Sequence, residues 1–533
     1  MTGAGGRVVI IGGGIAGLAS AALLAHQGYD VDLLEQQDAV GGRSGSWESG
    51  GFRFDTGPSW YLMPEVFDHF FQLLGTTAAE QLDLTVLDPA YRVFFEHHSE
   101  PVDIRADLAS TMATFEAIEP GAGRRLEAYL ASARDTYDVA VRRFLYSSFQ
   151  SLRTLIRADV LLRAPRLLSL LVRPLDRFIA QSFTDRRLAQ ILGYPAVFLG
   201  SSPDRAPSMY HLMSHLDLVD GVQYPQGGFV RIIEAITRLA LLEGVRIHTG
   251  ATVTAITTSA SPPSRGRRGR RRSRPHVTGV RFRRADGALA TLTGDIVVGA
   301  ADLHHLETEL LAPGLQTYPQ SWWDRRDPGP GAVLVYLGVE GALPELPHHS
   351  LFFTADWERN FDDIFGTHRR LPEPASSYVC KPSQTDPTVA PPGSENVFIL
   401  VPVPADVALG HGGIDGAGDP AVEKVADAAI EQLTSWAQIP DLSERIVVRR
   451  TVGPGDFADN FNAWSGGALG PAHTWRQSAF LRGRNASRRV DGLFYAGSGT
   501  TPGIGLPMCL ISAEILVKRL QSDRSTEPLP VPL

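Results

Sequence analysis

Three glycines and one carboxylate carry the clearest chemistry in this chain. Gly12, Gly14 and Gly17 follow the spacing G-x-G-x-x-G, and Glu35 stands 18 residues beyond Gly17. These residue types suit a dinucleotide. Gly12 permits a tight turn, Gly14 lets a pyrophosphate approach the main chain, and Gly17 lets a helix pack closely on a strand. A helix starting at this point offers free N–H groups to phosphate oxygens. The acid is placed to accept hydrogen bonds from a ribose diol.

The spacing gains weight from the elements that must position it. Val8–Ile11 is a short β-branched run, as expected of a strand buried on both faces. The residues from Ala16 to Leu23 make a good helix that ends near Gly28, and Tyr29–Leu34 alternates as a second strand finishing at Glu35. Two other readings compete for the same stretch. Val8 to Ala25 carries no charge and has the length of a membrane helix. Arg7 followed by an apolar run and Ala22–Ala25 imitates a secretion signal. The glycines oppose both, because each costs a helix about 1 kcal/mol relative to alanine.

Bulk composition narrows the class. The chain has 533 residues, more than one core usually serves, so two or more domains are expected. A formal net charge of -8 gives no general reason to expect nucleic-acid binding. Cys380 and Cys509 are the only cysteines and form no CxxC, which excludes a zinc ribbon or thioredoxin-like centre. Such usage fits a reducing cytoplasm.

A second strand–glycine–helix unit lies near the far end. Leu493–Ala496 reads as a strand, Gly497, Gly499, Gly503 and Gly505 as a flexible turn, and Met508–Leu520 as a helix. Between the two units come Val40-Gly41-Gly42-Arg43, then Asp55-Thr56-Gly57-Pro58, and later Tyr224-Pro225-Gln226-Gly227-Gly228. Thr385-Asp386-Pro387 with Ala390-Pro391-Pro392-Gly393, Asp456-Phe457 with Asn462-Ala463, and Gly499-Thr500-Thr501-Pro502-Gly503 complete the series. Together these segments resemble the bacterial phytoene desaturases, the FAD-dependent carotenoid desaturases of the flavin amine oxidase superfamily, over about residues 7 to 520.

The resemblance implies an α/β fold: a Rossmann-like FAD-binding domain, a discontinuous α+β substrate domain and a helical membrane-contact region. The FAD-binding domain is expected from 1–95, 225–305 and 480–533, and the substrate domain from 96–224 and 306–479. FAD is the expected cofactor. Its contacts are expected at Gly12, Gly14, Ile15, Ala16, Gly17 and Glu35, with Gly42 and Arg43 along the phosphates and Gly57 and Pro58 close to the flavin. Val253 is expected at the adenine side, Asp302 after a buried strand, and Gly497, Ser498, Gly505, Leu506 and Pro507 at the last helix. Many amine oxidases have an acid where Ser498 stands, so serine suits the desaturase branch. Several desaturases carry histidine at Thr501, so a role for that side chain does not carry over.

The implied reaction is desaturation of phytoene towards lycopene. Flavin N5 takes a hydride, an allylic cation is left, and proton loss extends the conjugation. The electron acceptor is then quinone or oxygen. Three rival readings are a desaturase or ketolase of another carotenoid, an amine or protoporphyrinogen oxidase, and a non-catalytic FAD-binding protein that delivers lipid.

No nucleophile–base constellation is visible, so catalytic residues stay unassigned. Asp55 is a possible base, with a structural hydrogen-bonding role the better expectation. His97-His98, His304-His305 and His348-His349 lack a companion acid at metal spacing and read as surface or core residues, so no metal is expected. Phe70, Phe71, Trp322, Trp323, Phe352 and Phe353 suit the wall of a tunnel for an apolar polyene and equally a plain core.

Two segments are compositionally unusual. Residues 264–274 hold seven arginines, as expected of a disordered hairpin loop or of contact with anionic lipid. Residues 144–183 mix apolar side chains with six arginines from Arg153 to Arg177, and Pro165 and Pro174 are expected to break them into short helices. That composition fits interfacial helices as well as an ordinary packed helix. The expected location is cytoplasmic, peripherally associated with the inner face of the cell membrane.

Overall fold

The computed structural model describes residues 5–150, 158–259 and 274–533. At its centre is strand β1 (Arg7–Ile11), flanked by strand β2 (Asp30–Leu34) on one side and by Ile296–Gly299 on the other. Arg246–His248 extends the sheet beyond β2, and Leu493–Tyr495 forms the opposite edge. Every neighbouring pair is parallel. Val8, Val9 and Ile10 are fully buried, as a parallel sheet covered on both faces requires.

Helix α1 (Ile15–His26) explains the missing charges. All its residues from Ile15 to Ala25 are buried, because Val230–Leu242 and Leu506–Leu520 pack against it over the sheet. A helix apolar all round is either a membrane span or a buried one, and this one is buried in protein. Among the described residues, no helix is long and apolar enough to cross a membrane.

A second, seven-stranded sheet runs Ile446–Val452, Pro330–Glu340, Ser394–Pro404, Ser377–Cys380, His349–Phe353, Tyr91–Phe95, Val102–Ile104. It is antiparallel except where His349–Phe353 pairs with Tyr91–Phe95. Helix Pro420–Trp436 packs on one face, while the other face joins the core shared with the nucleotide lobe. Helices from Leu108 to Leu218 flank this second lobe.

One local expectation is corrected. Pro165 does not break its segment: helix Ala158–Val172 runs through it, and Pro174 ends the run instead. Pro165 lies on the exposed face, where a carbonyl left without an N–H partner still meets water. Arg163 and Arg166 both reach Asp135 of the neighbouring helix, while Leu168 and Val172 stand 62% and 74% exposed. Most of the arginine-rich segment 264–274 lies outside the described residues, but its last arginine, Arg274, approaches Asp491 at 3.5 Å.

Candidate cofactor and substrate site

The glycine turn is held by sterics that can be stated atom by atom. Gly12 has φ +102°, a conformation that favours glycine. A Cβ on Gly17 would stand 1.9 Å from the Gly12 carbonyl oxygen, so only glycine lets α1 approach β1 this closely. At Gly14 an added Cβ meets nothing within 4 Å, so open space faces the helix start. Gly14 gives α1 no side-chain cap, and the first turn carries no acid. Glu35 accepts the Gly13 N–H at 2.6 Å and the Gln37 N–H at 2.9 Å. A carboxylate has about four acceptor sites, so two such bonds leave capacity for a diol.

The scattered sequence segments converge on this turn. Gly41 N–H donates to the Gly13 carbonyl at 2.9 Å, and a Cβ on Gly42 would sit 3.2 Å from Gly14 Cα. Gly57 is pressed on Arg43, where a Cβ would meet the arginine carbonyl at 2.1 Å. Gly497 lies beside Ala16 of the first helical turn. Ala251 N–H donates to the Glu35 carbonyl at 2.8 Å, which brings the start of the Val253 strand to the acid. Gly505 caps Leu506–Leu520 without a side chain, with Pro507 in the first turn and no acid there. Two uncapped helix N-termini therefore belong to the same neighbourhood.

Arg43 tests the fit to a diphosphate. Its Nε is buried without a partner, its Nη2 makes only a 3.5 Å contact to the Gly467 carbonyl, and its guanidinium lies 5.5 Å from the Phe461 ring centroid. Burial lowers its pKa, and the Asp302 charge opposes that. Asp302 itself is occupied as the cap of Leu303–Thr308, accepting from the His304 and His305 N–H groups. A buried arginine lacking a carboxylate bond, beside open glycine backbone and uncapped helix ends, fits a phosphate-bearing cofactor.

Ser498 is held through its main chain. Buried Arg482 donates to the Ser498 carbonyl at 2.5 Å and to the Thr500 carbonyl at 3.2 Å, and burial brings this arginine down to about 10. Asn485 donates to the Thr501 carbonyl, while Thr501 Oγ1 donates to Asn485 Oδ1. His473 closes on Gly503, where a Cβ would overlap its ring. None of Arg482, Asn485 and His473 stood out in the sequence, because each is a lone polar residue outside any motif.

On the substrate side, Trp60 stands two residues after the Gly57-Pro58 turn. Its ring stacks on His349 at 4.7 Å and 10° and meets Tyr91, Phe198 and Tyr194 at 5.4, 5.3 and 6.1 Å. Ser59 Oγ contacts Tyr378 OH at 2.7 Å, and that hydroxyl contacts His349 Nδ1 at 2.8 Å. Phe198 precedes Gly200, at which a Cβ would lie 3.3 Å from Ile504 of the last glycine loop. The aromatic wall thus bridges the Gly57-Pro58 turn and the 497–507 loop.

The aromatic residues singled out earlier divide among different places. Phe70 and Phe71 are buried in the main core, and Phe353 approaches Tyr194 at 6.0 Å. Phe352, one residue away on its strand, points to the opposite face and stacks on Phe94. Trp322 and Trp323 pack with Tyr318 and Trp464 in the core of the nucleotide lobe, so a tunnel-lining role for this pair is corrected.

Two buried carboxyls differ sharply. Asp55 accepts the Phe229 and Val230 N–H groups at the start of Val230–Leu242, at 2.9 and 3.3 Å, so both oxygens are engaged; burial raises it to about 6. Asp217 Oδ2 accepts Tyr194 OH at 2.7 Å and Tyr91 OH at 3.3 Å, while Oδ1 is buried without a partner. Burial raises Asp217 to about 7, against the two phenol hydrogen bonds.

His348, His349 and Cys380 also come together, because His349 pairs with Cys380 across neighbouring strands. Burial brings His348 down to about 3, lowers His349 well below its usual value and raises the thiol. The set is three neutral groups, and burial opposes the thiolate that a soft cation requires.

Residues 15–520 match the model of the flavin containing amine oxidoreductase family. A carotenoid 3,4-desaturase of Haloarcula japonica is 39% identical over 97% of this chain and 99% of its own. A zeta-carotene-forming phytoene desaturase of Myxococcus xanthus is 34% identical over 97% of this chain and 94% of its own. An oxidoreductase from Methanosarcina mazei shares the fold with a TM-score of 0.59 at 16% identity, covering 96% of this chain and 100% of that one. With FAD as its cofactor, this chain belongs to the flavin containing amine oxidoreductase family and, within it, to the carotenoid desaturases.

Proposed function

We propose that the protein introduces double bonds into an apolar polyene, with phytoene and its conversion towards lycopene as the leading case. FAD, when bound, accepts the hydride. The chain's own part is to bind, orient and exclude water. Gly12, Gly14, Ile15, Ala16, Gly17, Gly42 and Arg43 hold the diphosphate, Glu35 the ribose, and Val253 the adenine side. Gly57, Pro58, Gly497, Ser498, Gly505, Leu506 and Pro507 face the flavin, and Asp302 steadies Arg43 electrostatically. Residues 225–305 and 480–533 serve the FAD domain with the amino-terminal segment, and 96–224 and 306–479 the substrate domain.

The observation that carries this reading is the aromatic wall around Trp60, joined to both flavin-side loops. Flat aromatic faces suit a polyene and also stabilise a delocalised cation next to it. A second reading, desaturation of a carotenoid already partly processed, is favoured by the 39% identity to the 3,4-desaturase.

A substrate of this kind resides in lipid. We therefore place the protein peripherally on the inner face of the cell membrane, with exposed Leu168 and Val172 entering the interface beside Arg173. Quinone or oxygen takes the electrons afterwards. Purified protein with bound FAD, mixed anaerobically with phytoene in liposomes, should bleach in the flavin bands. Expression in a phytoene-accumulating bacterium followed by pigment chromatography identifies the product. Bound flavin that no polyene reduces rejects the proposal.

A further inference from the structure

We propose that Asp217 is the base that removes the second hydrogen, as a proton, when the double bond forms. This rests on the desaturase reading above and deepens it. Desaturation breaks two C–H bonds on adjacent carbons. From the first, the hydrogen leaves with the electron pair for FAD, which is thereby reduced. From the second, the hydrogen leaves as a proton to Asp217 Oδ1, and the electron pair left behind becomes the new π bond. The carboxyl later returns the proton to water.

Three observations single out this group. First, its position: both phenols that donate to Asp217 Oδ2 belong to rings packed on Trp60, two residues after the Gly57-Pro58 turn. The carboxyl is thus joined through its two phenols to the wall that the polyene would contact. Second, its free oxygen: among the described residues, only Asp217 and Glu345 are acids with a buried, unpartnered carboxyl oxygen. Glu345 lies beside the Lys381 ammonium, a charge partner that Asp217 lacks. Asp55, the candidate suggested by sequence, has both oxygens bound by backbone N–H groups, and Asp386 accepts from Gly227, Thr388 and Tyr224.

Third, its chemistry is matched to the task. A base works best when its pKa lies near the working pH, and burial brings Asp217 to about 7. The groups facing it are phenols and a hydroxyl: Tyr91 from one strand, Tyr194 after helix Arg186–Gly193, Tyr129 from helix Ala122–Ala140, and Ser214 from its own turn. His215 and Asp220 pair with each other at 3.7 Å, with Glu65 and Arg134 acting on Asp220. Tyr91 and Tyr194 are positioning residues, since they hold one oxygen and leave the other free.

The test uses Asp217→Asn in the FAD-loaded protein, because an amide oxygen still accepts from both phenols. Anaerobic flavin reduction by a polyene in liposomes should slow by about 10²–10⁴-fold. The wild-type rate should fall as pH drops below about 7, and that acid limb should vanish in the variant. Asp217→Glu should recover part of the rate. A readout without flavin is infrared spectroscopy of the FAD-free protein: a protonated carboxyl band should disappear as pH rises through 7 and be missing from Asp217→Asn. Tyr194→Phe, which removes one donor, should move that titration upward and keeps the test open if the Asn variant folds poorly. An Asp217→Asn rate within threefold of wild type, a retained acid limb, or an unaltered carboxyl band overturns the assignment while leaving the desaturase reading intact. FAD-loaded wild type that oxidises no polyene overturns both.

Discussion

The nucleotide lobe and the substrate lobe treat their buried polar groups differently. Around the glycine turn, carboxylates are bonded to main chain or to cations: Glu35 to two N–H groups, Asp302 to a helix start, and Asp32 to Arg246 and His248. In the other lobe, buried Ser201, Ser202, His215 and Asp217 each keep a side-chain atom without a partner. Leaving such atoms unpaired costs about 1–3 kcal/mol each. A scaffold for a fixed cofactor is satisfied in advance, whereas a chamber for chemistry keeps polar capacity in reserve. Arg43 and Arg519 are exceptions, since the Nε of each is also unpartnered, and Arg43 stands beside the open glycine backbone where we propose that a ligand charge belongs.

Substitutions can break this contrast, and the largest effect is expected in the nucleotide lobe. Gly17→Val drives a branched side chain into the Gly12 carbonyl, so the purified protein should retain no FAD by absorbance and should lose its cooperative thermal transition. Arg43→Met should fold but bind FAD at least about tenfold more weakly in equilibrium dialysis, since it deletes charge-assisted bonds to phosphate. For two buried acids, pH gives the sharper measure. Asp217 and Asp55 have native pKa values of about 7 and 6, above the ordinary 3.8. Their contribution to stability is therefore fully present below about pH 4 and is lost as pH rises through 6 and 7. Asp217→Asn removes its share of that loss, so the melting temperature of the variant relative to wild type should climb between pH 5 and 8. A shift from 3.8 to about 7 bounds the effect at about 4 kcal/mol. Asp55→Ala, which removes both acceptors from the start of helix Val230–Leu242, should cost about 0.5–2 kcal/mol in denaturant unfolding. Smallest is Leu168→Ser with Val172→Ser: thermal stability should hold, while recovery with anionic liposomes drops.

What could be read from sequence follows the same division. The first strand, glycine turn, helix and second strand occupy Arg7 to Leu34 without interruption, so local spacing encodes local geometry. The same holds for Leu493 to Leu520. The chamber is different. Trp60, Tyr91, Tyr194, Asp217 and His349 come from five separate segments, and no spacing rule links them before the chain folds. The arginine-rich helix misled for a related reason: Pro165 is read locally as a break, yet an exposed position inside a helix packed on its neighbour tolerates it. Trp322 and Trp323 show the limit of composition, because an aromatic pair reads alike in a tunnel and in a core.

Helix Leu506–Leu520 packs on α1 and Gly497 sits beside Ala16, so the end of the chain lies against elements built from its first 45 residues. A ribosome releases those early residues long before it makes their partners. The face of nascent α1 that Leu506–Leu520 covers must therefore wait until almost the entire polypeptide has emerged. Flavin loading should for this reason come late, and a product lacking its final forty residues should be colourless however well its beginning had folded.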